Sequence, residues 1–162
     1  MKTYPYTKSD FKIVPRYSKI MKIFPILFIV LSLFSCTKET ADDYIKKGIA
    51  EENKSHFDKA VSFFDVAIKI DSSYADSYYH RGVCYFYMSK PDKALNDYTK
   101  AIKLQPTFSD AYQERGSLLF TLGEYELALR DFDYAIKLSP ENKDLYSYRA
   151  LVKKKLSKIP HK

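Results

Sequence analysis

The side chains able to do chemistry in this sequence are few and scattered. Three histidines, His56, His80 and His161, share no ligand spacing such as HxxxH, and no glycine-rich loop follows a strand pattern to cradle a phosphate. Neither cysteine has a His or Cys partner at a spacing that would activate a thiolate. Cys36 closes an apolar run, and Cys84 falls between Val83 and Tyr85 in a helical pattern, where a small thiol packs as an apolar residue. The two read as unrelated. Without a nucleophile and base, a paired acid or a metal set, the sequence predicts a chain that is not an enzyme and carries no cofactor and no metal.

Charge does recur in order. Arg81, Arg115 and Arg149 stand 34 residues apart and alternate with Asp97 and Asp131, which share the interval. This predicts charge pairs between neighbouring helices. Asp42, Asp76, Asp110 and Asp144 repeat at the same spacing, where a carboxylate in the first turn of a helix offsets orphan N–H groups and the positive end of the dipole.

The elements that position these charges follow one period. Gly48, Gly82 and Gly116 are 34 apart, as are Ala60, Ala94 and Ala128, Phe64, Tyr98 and Phe132, and Ala67, Ala101 and Ala135. Tyr44, Tyr78, Tyr112 and Tyr146 carry one column a fourth time. Within a unit, Tyr78, Gly82 and Tyr85 fall at i, i+4 and i+7, as do Ala94, Tyr98 and Ala101, and each set is one stripe of an α-helix. The small residues leave room where two antiparallel helices approach. Pro106 and Pro140 cannot continue a helix and mark the passage to the next unit, while Gly123 and the stretch 88–91 supply turns within units.

Composition agrees. A chain of 162 residues fits one domain with appendages, and 46% apolar residues with only 4 Gly favour a packed helical core over a turn-rich β fold. The net charge of +7 resembles that of a nucleic-acid binder, but six of the 27 basic residues and one of the 20 acidic ones precede Cys36, leaving 21 against 19. A body so nearly neutral argues against nucleic acid as a partner.

These columns resemble the tetratricopeptide repeat, a 34-residue helix-turn-helix with an aromatic, Gly, Ala, aromatic, Ala and Pro at set offsets. The resemblance implies an all-α, right-handed α-solenoid of three units, 41–74, 75–108 and 109–142, closed by a capping helix over 143–158 and a tail over 159–162. Lys153, Lys154 and Lys155 near the end of that helix suit its dipole, with contact to anionic lipid as the alternative.

The resemblance further implies a protein or peptide partner and no small-molecule substrate. The family binds ligands in a concave groove lined by the first helices. The matching positions are Ile45, Ile49, Glu52 and Asn53 in the first unit, Tyr79, Val83, Phe86 and Tyr87 in the second, and Gln113, Ser117, Phe120 and Thr121 in the third. Of these, Ile45, Ile49, Tyr79, Val83, Phe86, Tyr87, Gln113 and Phe120 are the expected contacts. Relatives that grip the carboxyl terminus of chaperones use Lys, Asn and Arg at such positions, and Ile45, Ile49 and Gln113 do not supply that clamp. An amphipathic helix or extended apolar segment suits the aromatics better, although any one ring serves equally well as core.

The amino-terminal segment reads as an address. Lys22 precedes an apolar run from Ile23 to Phe34, too short to span a bilayer, which needs about 20 apolar residues. Leu33-Phe34-Ser35-Cys36 resembles the lipobox of bacterial lipoproteins. That implies a signal peptide over 21–35, a diacylglycerol on Cys36, and a short tether over 36–40. The tether reaches at most roughly 17 Å. Thr37, in place of an inner-membrane retention Asp, implies the outer membrane, facing the periplasm. A secreted or periplasmic soluble form, or an uncleaved signal anchor, are the alternatives. Residues 1–20 read as a non-native or disordered extension, with Met21 as a second candidate start.

Overall fold

The computed structural model describes residues 39–158. The signal segment, Cys36 and the flanking stretches 1–38 and 159–162 lie outside the described residues. Within them are seven helices: α1 (Ala41–Glu52), α2 (Phe57–Ile70), α3 (Ala75–Tyr87), α4 (Pro91–Leu104), α5 (Ser109–Leu122), α6 (Tyr125–Leu138) and α7 (Lys143–Leu156). None is long and apolar enough to cross a membrane.

The helices pack as an array. Contacts are richest within the pairs α1/α2, α3/α4 and α5/α6, and next between consecutive pairs. The odd helices also touch along the array, α1 to α3, α3 to α5 and α5 to α7, and the even ones do not to the same extent. An array whose odd helices crowd while its even helices splay curves toward the odd side, which becomes the inner face.

Three helix starts have a local cause. Thr40 opens α1 with a capping box: its hydroxyl accepts the Asp43 N–H at 3.3 Å, and Asp43 accepts the Thr40 backbone N–H at 2.9 Å. Asn142 caps α7, its side chain accepting from the Asp144 N–H at 3.1 Å. Pro91 begins α4, where its missing N–H costs nothing. The first-turn aspartates Asp42, Asp76, Asp110 and Asp144 stand at the amino ends of α1, α3, α5 and α7.

The intra-unit turns share one device. Ser55, Ser89 and Gly123, each 34 residues from the next, adopt φ of 60°, 55° and 86°. Gly123 takes this left-handed conformation without steric cost, whereas the two serines bear it against their Cβ atoms. Only the glycine was legible as such a turn.

The periodic small residues are the close points. Ala60, Ala67, Ala94, Ala101, Ala128 and Ala135 are fully buried. Phe64, Tyr98 and Phe132, at most 1% exposed, fill the space beside Gly48, Gly82 and Gly116. Burying a phenylalanine fully contributes about 1.5–3 kcal/mol, so this column is a main source of stability. Leu145 and Val152 dock α7 on the third unit.

The arginine and aspartate columns meet. Arg81 Nε and Nη2 donate to the two oxygens of Asp97 at 2.8 and 2.7 Å, and Arg115 forks in the same way onto Asp131 at 2.7 and 2.8 Å. Both aspartates are buried, so each fork ties the first helix of a unit to its second. Arg149 has no second helix of its own and reaches back to Asp133 of α6 at 3.4 Å.

Candidate functional site

The inner face is built from the exposed stripe of α1, α3, α5 and α7. At its centre stands Tyr79, half-buried, its ring 4.8 Å from Phe108 and 6.2 Å from Tyr98 between ring centroids. Phe86 is 39% and Tyr87 63% exposed, and the two rings meet edge to face at 5.6 Å. Tyr87 also stacks on Phe57 of α2 at 5.0 Å, which places it at the rim. Phe120 packs on Tyr125 at 5.5 Å, and Ile49, Val83 and Gln113 are half-buried.

Ile45 departs from the sequence expectation. It is only 7% exposed and joins Ala41, Ala60, Phe64 and Cys84 in the core of the first unit. At the equivalent positions of the next two units Tyr79 and Gln113 are half-buried. Ile45 contributes packing and little contact surface.

Four residues absent from the sequence-derived groove belong to it. His80 stacks on Phe64, 5.7 Å between centroids, and its Nδ1 lies 2.9 Å from Glu52 Oε2. Tyr148 stacks in the same way on Phe132 at 5.5 Å. Between them in the 34-residue column stands Glu114. Tyr148 and Leu151, with Ser117, Phe120 and Thr121, line a recess of about 220 Å³ between α5 and α7. The signal for all of these was the periodicity itself, which puts His80, Glu114 and Tyr148 in one column and Leu151 one unit beyond Ser117.

The groove centre is negative. Burial pushes the Tyr79 and Tyr98 hydroxyls well above the usual phenol range, and the carboxylates of Glu114 and Glu52 push them further, with Asp110 acting on Tyr79 as well. Burial also raises Glu114 above the ordinary carboxyl value. Glu52 is bridged by His80, while Asp110 and Glu114 form no salt bridge among the described residues. Cys84, fully buried, has its thiol pushed up to about 12 by desolvation first and by Glu52 second, so it stays protonated and packs as an apolar group. Among the described residues no three His, Cys, Asp or Glu side chains converge as metal ligands would.

Curved pairs of antiparallel helices in a 34-residue register define a helical-repeat protein of the solenoid class. Residues 75–108 and 97–130 match two family models of the tetratricopeptide repeat. Residues 75–130 of the chain carry tetratricopeptide repeats. No curated protein sequence matches the chain.

Solved structures place the fold. The tetratricopeptide domain of Arabidopsis OM64 is 29% identical, covering 71% of this chain and 95% of that one, with a TM-score of 0.69. The second such domain of human RPAP3, solved in complex with the HSP70 peptide SGPTIEEVD, is 26% identical, covers 70% and 94%, and has a TM-score of 0.66. MamA, 20% identical over 87% of this chain and 75% of its own, superposes with a TM-score of 0.70 and bears on the fold alone.

Proposed function

We propose that this chain is a non-enzymatic scaffold that binds a peptide or helix of a partner protein along its inner groove. The observation that carries this is the row Tyr79, Phe86, Tyr87 and Phe120 on the inner face, with an open recess beyond it at Tyr148 and Leu151. Phe86 and Tyr87 are exposed and Tyr79 and Phe120 half-buried, and aromatic rings so placed on a rigid helical floor are the usual anchors of a polypeptide interface, since they bury much area at little entropic cost. The peptide-bound relative supports the same use of the fold.

The chemistry of the partner differs from that relative's. Its peptide ends in EEVD, whereas the carboxylates of Glu114, Asp110 and Glu52 act on the Tyr79 hydroxyl here, and like charges brought together in an interface oppose binding. An apolar or amphipathic segment without an acidic end fits. Tyr79→Ala together with Phe86→Ala is expected to weaken partner capture at least roughly tenfold, the scale of losing one interface anchor, while the far-ultraviolet helical signal stays unchanged. Capture at wild-type strength by that double variant would refute the groove.

The setting proposed for this scaffold is a bacterial envelope membrane, with the chain held by lipid on Cys36 and supporting assembly of an envelope complex. The support is the apolar run ending on Leu33-Phe34-Ser35-Cys36. Two or more acyl chains give stable anchoring where one gives only marginal binding. Cys36→Ser should move the protein from the membrane pellet to the soluble fraction, and sedimentation with membranes despite the change would rule out the lipid anchor. A second reading, an adaptor that recruits a cell-envelope enzyme such as a peptidoglycan hydrolase, uses the same groove; the proteins crosslinked to it in whole envelopes discriminate the two.

A further inference from the structure

The repeat allows each junction between units to be compared with the next. At the first, Arg81 satisfies two carboxylates, forking onto Asp97 and donating through Nη1 to Asp65 of the preceding unit at 2.6 Å. At the second, Arg115 forks onto Asp131, but the residue equivalent to Asp65 is Thr99, whose hydroxyl accepts from Nη1 at 3.2 Å. At the third, Arg149 again has a carboxylate in that column, Asp133. The middle guanidinium alone meets a hydroxyl where the other two meet a carboxylate of the preceding unit.

A second change accompanies the first. The ring of Tyr85 at the first junction lies 5.9 Å from the Arg81 guanidinium and 5.3 Å from Lys93 Nζ. Its equivalents at the second junction are Leu119 for Tyr85 and Leu127 for Lys93. Beside these two leucines a cavity of about 500 Å³ lies between α4, α5 and α6. That volume lies within the range of roughly 300–1,000 Å³ typical of small-molecule sites.

The walls have the composition of a site for an amphiphile. Leu95, Ile102, Leu119 and Leu127 supply an apolar lining. Arg115 and Arg130 supply two guanidinium groups, and Arg130 forms no salt bridge among the described residues. The carboxylate on the wall, Asp131, is already held by Arg115. The cavity shares no residue with the groove on the inner face.

We propose that this cavity binds a small aliphatic carboxylate. Its head group takes the place that the Asp65 carboxylate holds at the first junction, donated to by Arg115 Nη1 and Arg130, and its chain lies along the leucines. Charge complementarity selects the head, because two guanidinium groups face one carboxylate. The apolar walls select the tail.

The test is titration of the full chain with octanoate, followed by calorimetry and by the arginine side-chain N–H resonances. Octanoate is expected to bind, with acetate, which lacks the chain, and 1-octanol, which lacks the charge, each weaker by roughly tenfold or more, the scale of burying a few methylene groups for the first and of one charge-assisted hydrogen bond for the second. Thr99→Asp restores the first-junction carboxylate and Leu119→Tyr restores its ring, so both should abolish binding. Asp is the residue the chain already carries at the equivalent positions 65 and 133, and Arg130→Gln changes an exposed residue and leaves the core untouched. Octanol binding as tightly as octanoate, full binding by Thr99→Asp or Arg130→Gln, or no octanoate binding at millimolar concentration would each overturn the proposal.

Discussion

Replacing Asp131 with Ala is expected to destabilise the fold by about 3 kcal/mol, the lower end of the range for removing one partner of a buried ion pair. The Arg115 guanidinium is left with the hydroxyl of Thr99 as its remaining side-chain partner, and its side chain is only 20% exposed. Asp97→Ala should cost clearly less, because Arg81 keeps Asp65 at 2.6 Å. Chemical denaturation followed by circular dichroism would read the difference as two separated midpoints at equal slope. Equal losses in the two variants would mean that the preceding unit's carboxylate contributes nothing to holding the arginine, and the junction comparison would fail with it.

The second large effect is a graded series at the three column glycines. A Cβ on Gly48 would sit 2.5 Å from Phe64 Cε1, and one on Gly82 would sit 2.8 Å from Tyr98 Cε1; both rings are buried and lack room to retreat. A Cβ on Gly116 meets its nearest neighbour, Asp131 Cβ, at 3.2 Å. Alanine gains up to about 1 kcal/mol over glycine in a helix interior, against an overpacking cost of about 1–3 kcal/mol. Gly48→Ala should therefore destabilise by about 2 kcal/mol, Gly82→Ala by less, and Gly116→Ala should be close to neutral. The order of the three thermal midpoints tests this, and a Gly48→Ala variant as stable as the wild type would contradict the close contact between Gly48 and the Phe64 ring.

The same columns explain how much of the fold was legible in the sequence. Gly, Ala and aromatic residues at fixed offsets are steric requirements of helix contact, so each constrains the residue type and leaves a visible period. The arginine and aspartate columns were readable for the same reason: their partners lie on the paired helix of the same unit at a constant interval. Ser55 and Ser89 were not readable as left-handed turns, because serine carries no preference for that conformation and the constraint comes from the helices on either side.

The groove was less legible than the core. Its positions carry over from one unit to the next, but whether a side chain there is surface or filler differs between units. Ile45 is buried in the first unit where Tyr79 is half-buried in the second. Glu114, His80 and Tyr148 occupy one column with three different chemistries, so no residue-type signal marks it. The cavity at Arg115 and Arg130 lies where a carboxylate is missing at residue 99 and a ring at residue 119, and an absence becomes visible only when the junctions are laid side by side.

The inner groove as a polypeptide-binding surface is most directly tested by site-specific photo-crosslinking in cells. A photoreactive residue would replace Phe86 or Leu151 on the inner face, or Leu138 on α6, which is 36% exposed, as the outer-face control. Discrete adducts from Phe86 and Leu151, with none from Leu138, are the predicted result. Adducts of the same mass and yield from Leu138, or none from either inner position while the protein is folded and abundant, would contradict it.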